Sequence, residues 1–315
     1  MKTIFIGTTC AFIASLILLL LLMPLLKRLK AGQYILGYVK EHKSKSGTPT
    51  MGGLAFITAA VIVGFCVLGF SNGPASLTLA ITAGYMVVGF LDDFLKIYRK
   101  ENEGLKPYQK IIFQFAIACV AAAYCYLNEL TKIYVPFGGG LVVDMRWGII
   151  PLVIFVFIAT VNCVNLTDGL DGLAGGTSCG YLLILGMLLI MQGTNYAVLC
   201  FIAVGAIAAF LILNTNKAAI FMGDTGSLAL GGFISCLSVF SGNALYIPLF
   251  GIMFVISGIS VIVQVIYYKR TRKRVFLMSP VHHHFQQKGH AEGKIAYAYA
   301  VTTAILGLLL FLPFV

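Results

Sequence analysis

Two neighbouring carboxylates close an apolar run in Gly89-Phe-Leu-Asp92-Asp93-Phe-Leu-Lys96. Carboxylates at the C-terminal end of a helix oppose its dipole, so they are not caps. Adjacent helical residues point about 100° apart, so one of the pair faces a site and the other supports it. A second stretch, Asn162-Cys-Val-Asn165-Leu-Thr-Asp168-Gly-Leu-Asp171-Gly172, repeats a polar side chain every third position. Such an oxygen-rich stripe suits a hard cation such as Mg²⁺, which keeps substrate phosphates in its shell. The plainer reading of both is polar lining at a helix end. Ionisable groups near a bilayer core, however, cost at least about 2.5 kcal/mol and are functional candidates by default.

A third group is Asn214-Thr-Asn-Lys217 followed by Phe221-Met-Gly-Asp224-Thr225-Gly226-Ser227. Asp, Thr and Ser ahead of an apolar run mark a helix N-terminus. Such an end presents free N–H groups to an anion, although Asp224 could equally serve as the cap. Phe221 beside it suits stacking on a flat ring, or ordinary packing. Lys45-Ser-Gly-Thr48-Pro-Thr50-Met-Gly52-Gly53 sets small residues beside hydroxyls and a lysine, which would let backbone approach a phosphate. A capped helix start explains the same residues. Last, Lys269, Arg270, Arg272, Lys273 and Arg274 precede Pro280-Val-His282-His283-His284-Phe285. The basic cluster suits anionic head groups. Consecutive histidines do not share a face and no cysteine lies near, so phosphate contact is favoured over zinc.

The elements that must position these residues are apolar. Of 315 residues, 59% are hydrophobic and 10% charged, against about a quarter charged in soluble domains. Runs long enough to span a bilayer fall at roughly 4–26, 52–70, 75–94, 111–127, 149–165, 178–192, 196–213, 226–241, 245–267 and 295–314. The expectation is an all-α polytopic membrane protein of about ten helices in one domain, 1–315. On this division 19 of 22 Lys and Arg residues share one side, which the positive-inside rule makes cytoplasmic, leaving both termini outside. The outer gap from Ile133 to Asp144 reads as a small β-hairpin turning on glycines, with Trp147 at the outer interface. The net charge of +11 reports this topology and lipid contact, not nucleic acid. The eight cysteines form no Cys-x-x-Cys pair, and neither a P-loop nor a dinucleotide fingerprint occurs.

Carboxylates, amides, a helix N-terminus, lysines and histidines on one membrane face suit a Mg²⁺–diphosphate site reached by a lipid acceptor. Phosphoryl transfer asks mainly for positioning and charge neutralisation. Taken together in order, the five motifs resemble the phospho-N-acetylmuramoyl-pentapeptide transferase family. The resemblance implies a Mg²⁺-dependent enzyme of the bacterial inner membrane, generally a homodimer. It would move phospho-N-acetylmuramoyl-pentapeptide from its UDP carrier to undecaprenyl phosphate, giving lipid I and UMP. By motif position, Asp224 resembles the magnesium ligand, with Asp168 beside it. Asp92, Asp93 and Asp168 match essential acidic residues, and His283 lies in the histidine motif. Lys45 (or Lys43), Lys110, Asn165, Asp171, Asn214, Phe221 and Gln264 match positions lining the nucleotide site, Phe221 stacking on uracil. Thr50, His282 and His284 join them as substrate contacts. Gln286 stands where the family commonly has Glu. The nearest rival is an N-acetylglucosamine-1-phosphate transferase acting on the same lipid. A lipid or ion transporter is the rival from another class, and the expected spans carry no mid-membrane charge for it.

Overall fold

The computed structural model describes residues 1–29, 47–101, 103–215, 217–309 and 311. The helices are α1 (Lys2–Arg28), α2 (Gly53–Leu68), α3 (Gly73–Arg99), α4 (Pro107–Leu127), α5 (Ile149–Thr167) and α6 (Leu173–Met191), followed by α7 (Ala197–Asn214), α8 (Gly223–Phe240), α9 (Ile247–Phe250), α10 (Ile252–Thr271), α11 (Val281–Gln287) and α12 (Glu292–Leu309). Eight of them are long and apolar enough to cross a membrane, and α2 is a shorter apolar helix. Outward faces carry bare Phe5, Leu21, Ile112, Phe155 and Ile262. Water would penalise such faces, whereas hydrocarbon solvates them.

Local signals account for the helix starts. Asn72 Oδ1 accepts from Ala75 N at 3.3 Å to open α3, with Pro74 in the first turn. Pro107 opens α4, where Gln109 Oε1 returns to accept from Lys106 N at 2.9 Å. Between α4 and α5, strands β1 (Lys132–Tyr134) and β2 (Val142–Asp144) pair antiparallel, Ile133 opposite Val143. Gly139 and Gly140 turn the chain at positive φ, as the sequence predicts. Trp147 follows, exposed.

Helix α8 is the axle of the bundle: 89% of it is buried, with α2, α3 and α5 packed on it. At its far end the hairpin grips it through Tyr134 N donating to Gly242 O at 2.9 Å. The second half of the bundle builds outward, α7 against α1 and α6, α12 against α6, and α10 against α5.

Three boundaries differ from the sequence reading in ways that bear on the site. Helix α3 runs on to Arg99, so Asp92 and Asp93 lie inside its last two turns; the Asp92–Lys96 pair, one turn apart, sustains the extension. The ninth run is broken at Gly251 into α9 and α10. The histidine segment is itself a short helix, α11, that the apolar pattern does not show.

Candidate active site

The site is built where α3 meets the first turn of α8. Gly89 lets the two backbones touch: a Cβ there would overlap the Asp224 carbonyl. One turn later Asp93 therefore reaches the free N–H groups of α8. Its Oδ1 accepts from Asp224 N at 3.2 Å, and its Oδ2 from Thr225 N at 2.9 Å and Thr225 Oγ1 at 2.7 Å. Gly223, at φ +73°, leaves room for that carboxylate. No side chain of α8's own segment caps it among the described residues. Capping by Asp224, the plainer sequence reading, is thus overturned: the cap comes from another helix, and Asp224 is released to face the site.

The carboxylates of Asp92, Asp93 and Asp224 converge, offering oxygens within 4.8 Å of one another. Lys96 Nζ lies 2.6 Å from Asp92 Oδ2, 3.2 Å from Asp224 Oδ2 and 3.7 Å from Asp93 Oδ1. Lys110 Nζ lies 3.0 Å from Asp92 Oδ1 and 2.6 Å from Asp224 Oδ2. Asp92 Oδ1 also accepts from Leu105 N at 2.8 Å, so the α3–α4 turn folds back over it. Asp92 Oδ2 is fully buried, with the Lys96 ammonium against it. On α5, Asn165 Nδ2 donates to Asp224 Oδ1 at 2.9 Å and to Ser227 Oγ at 2.8 Å, fixing the Asp224 rotamer.

Asp168 stands just past α5 and outside this trio. Burial, then the facing carboxylates of Asp224, Asp93 and Asp171, push its carboxyl up to about 8. The converging trio is drawn from α3 and α8, and Asp168, expected beside Asp224, stands outside it. The cause is the interhelical approach at Gly89, which spacing along the chain does not reveal.

Other residues expected at the site also brace the scaffold around it. Asn214 spends its amide on Gly172 N (2.9 Å) and Ile220 O (2.9 Å), tying the 168–172 turn to the chain entering α8. Asp171 accepts from Ala218 N at 3.0 Å in the same seam. Thr50 is buried beside Gly223, where Gly52 N donates to Phe221 O at 2.8 Å and Phe221 N to Pro49 O at 2.8 Å. Phe221 itself is half-exposed at this edge. Gln264 Oε1 accepts from Val275 N and Phe276 N, bracing the basic strap onto α10. Lys45 lies outside the described residues.

On α11 the three histidines diverge, as adjacent helical positions must. His282 is fully buried against Gly169 and Tyr299, with neither ring nitrogen paired among the described residues. Burial, then the neighbouring His283, pushes its imidazole down to about 3. His284 Nδ1 accepts from Leu277 N at 3.1 Å. His283 is half-buried, and its Nε2 and that of His282 both lie against Gly169. His283 Nδ1 meets Gln286 Oε1 at 3.0 Å, and Gln286 Nε2 donates to Glu292 Oε1 at 3.1 Å. Lys96 and Glu292 were not offered as site residues from sequence, and Thr225 and Gln286 were noted there only in other connections. Only Lys96 carried a signal, its position one helical turn after Asp92.

A family model described as glycosyl transferase family 4 matches residues 75–242, and the signature 1 pattern of phospho-N-acetylmuramoyl-pentapeptide-transferase matches residues 45–57. The phospho-N-acetylmuramoyl-pentapeptide-transferase of Clostridium novyi (strain NT) is 42% identical over 315 residues, 97% of this chain and 95% of that protein. The chain belongs to the phospho-N-acetylmuramoyl-pentapeptide-transferase family. The family's protein from Thermoanaerobacter sp. (strain X514) is 41% identical over 307 residues, 97% of this chain and 96% of its own length. That of Clostridioides difficile (strain 630) is 40% identical, with 95% of each chain covered. Family membership and the apolar helices together make this an integral membrane protein of transferase type. The family-model match spans α3 through α8, the helices that carry Asp92, Asp93, Asn165 and Asp224.

Proposed function

We propose that this chain transfers phospho-N-acetylmuramoyl-pentapeptide from its UDP carrier to undecaprenyl phosphate, giving lipid I and UMP. The observation that carries the reading is the convergence of Asp92, Asp93 and Asp224 with Lys96 and Lys110 at the basic end of the bundle. The gathering of 19 of 22 basic residues on that side supports a site facing the bacterial cytoplasm, in a ten-span chain with both termini outside. The homodimer belongs to the same reading, on the family resemblance alone.

The donor set fits a divalent cation. It is all oxygen, and its members converge within 4.8 Å of one another. Hard ligands of this kind select Mg²⁺ over softer metals. In this reading Asp92 and Asp224 hold the ion, which when bound would draw charge from the diphosphate oxygens. Asp93 holds the α8 terminus, Asn165 holds Asp224, and the lysines neutralise phosphate charge. Phe221 stacks on uracil, and His283 contacts phosphate at the open side of α11.

Transfer is read as one in-line displacement. An oxygen of the lipid phosphate bonds to the sugar-bearing phosphorus. The bond from that phosphorus to the bridging oxygen breaks, and the electron pair leaves with UMP. A lipid phosphate with a second pKa near ~6 is already largely dianionic at neutral pH, so a covalent enzyme intermediate removes no evident barrier. The test is to incubate purified protein with UDP-N-acetylmuramoyl-pentapeptide and Mg²⁺, then add polyprenyl phosphate. UMP should appear only after the lipid is added. Turnover of UDP-N-acetylglucosamine instead would transfer the reading to the sister activity, and a stoichiometric UMP burst without lipid would overturn the single step.

A further inference from the structure

Every carboxylate oxygen that faces the inside of the trio is already met by an ammonium group. Asp224 Oδ2 is shared by Lys96 and Lys110 at 3.2 and 2.6 Å, and the two oxygens of Asp92 are taken one by each lysine, at 2.6 and 3.0 Å. A Mg²⁺ ion needs its oxygens at about 2.0–2.1 Å in a near-octahedral shell. It cannot take Asp92 and Asp224 while both ammonium groups hold them. The lysines are exposed alike, 27% and 24% of their side chains, but reach the trio from different helices. Lys96 rises from the same helix as Asp92 and Asp93, on a flexible four-carbon stem with 27% of its side chain exposed.

Charge gives the displaced lysine a destination. Three carboxylates and two ammonium groups sum to one negative charge; a divalent cation brings the cluster to one positive charge. A released ammonium then finds its counter-charge on a diphosphate.

Resting on the metal reading above, we propose that Lys96 is a displaceable counter-cation that couples metal uptake to diphosphate binding. In the absence of a phosphate ligand Lys96 competes with the metal for Asp92 and Asp224. When a diphosphate arrives, Lys96 transfers to its oxygens and the carboxylates become available. Lys96 is thus a positioning residue for the cation, distinct from any direct part in bond making. Linkage requires the effect to be mutual: the diphosphate tightens the metal by the same factor that the metal tightens the diphosphate.

The test uses the full chain in detergent and reads Mn²⁺ binding by electron paramagnetic resonance, with and without UDP. In the unaltered protein UDP should tighten Mn²⁺ by about 5–150-fold, the usual span of such couplings. In Lys96→Gln, Mn²⁺ alone should bind more tightly by about fivefold or more, and the UDP enhancement should shrink correspondingly. Unchanged or weaker Mn²⁺ binding in Lys96→Gln, or an undiminished UDP effect, would overturn the proposal. If Lys96→Gln does not yield folded protein, Lys96→Arg decides. A guanidinium that holds carboxylates bidentately should weaken Mn²⁺ without UDP, and unchanged affinity overturns the proposal. Asp224→Asn separates the two levels: Mn²⁺ binding that survives it unaltered would refute the metal site itself, whatever Lys96 does.

Discussion

Asp93 caps the helix that carries Asp224. Its carboxylate accepts from the Asp224 and Thr225 N–H groups and from the Thr225 hydroxyl, across 131 and 132 residues of chain. The paired aspartates of α3 thus divide their work, Asp92 toward the lysines and Asp93 into the scaffold. Removing the cap in Asp93→Ala strands buried donors and should lower stability by about 1–2 kcal/mol. Thermal unfolding in detergent measures it; an unshifted transition would show that α8 does not depend on Asp93.

Phe221 lies half-exposed at the edge of the site, its backbone locked to Pro49 and Gly52. Phe221→Ala should weaken UDP and UMP by about 1–3 kcal/mol, the scale of base stacking, while leaving Mn²⁺ affinity without nucleotide in place. Calorimetric titration checks both, and equal nucleotide affinities in variant and parent would remove Phe221 from the uridine site.

Gln286 orients His283. Glu292 only accepts, so it draws the Gln286 NH₂ and turns the amide oxygen toward His283 Nδ1. Nδ1 therefore carries a proton toward Gln286, and Nε2 lies on the Gly169 side. Gln286→Leu frees the ring, and kcat should fall about tenfold, the scale of lost outer partners, with KM for the nucleotide substrate little changed. A loss confined to KM would argue instead that the helix has shifted.

His282 sets a pH dependence of stability. Its imidazole titrates at about 3 when folded and near ~6.5 when unfolded. Between these values the unfolded chain binds the extra proton, so stability should fall as pH drops from ~6.5 toward ~3. The melting temperature of the parent should decline faster over that window than that of His282→Phe. Parallel pH curves would mean that His282 is not buried neutral. Asp168, held up to about 8, contributes the opposite slope above its unfolded value in both proteins and cancels in the comparison.

The apolar runs made the helices legible, and the glycines of the 133–144 gap made the hairpin legible, because both depend on local composition. Helical geometry alone also suggests that Asp92 and Asp93 take different partners, without saying which does which. What the chain did not disclose depends on contacts between distant segments. The cap on α8 is supplied from α3, so Asp224 looked like its own cap. Asn214 and Gln264 carry polar side chains of the right kind for a ligand, yet backbone groups claim them. Helix α11 is too short to show a period, and its start rests on Val281 N donating to Ser260 Oγ at 3.0 Å.

Helix α8 is held at both ends by elements foreign to its own neighbourhood in sequence. The hairpin takes Gly242 at one end, and Asp93 takes the first N–H groups at the other. A slide of α8 by one residue would move it about 1.5 Å, and a matching turn about 100°; either breaks both attachments at once. The central helix is thereby a fixed shaft between two bearings. Asp224 keeps a constant height and heading in the bundle, so its distance from the membrane surface is set by the scaffold and not by whichever ligand arrives.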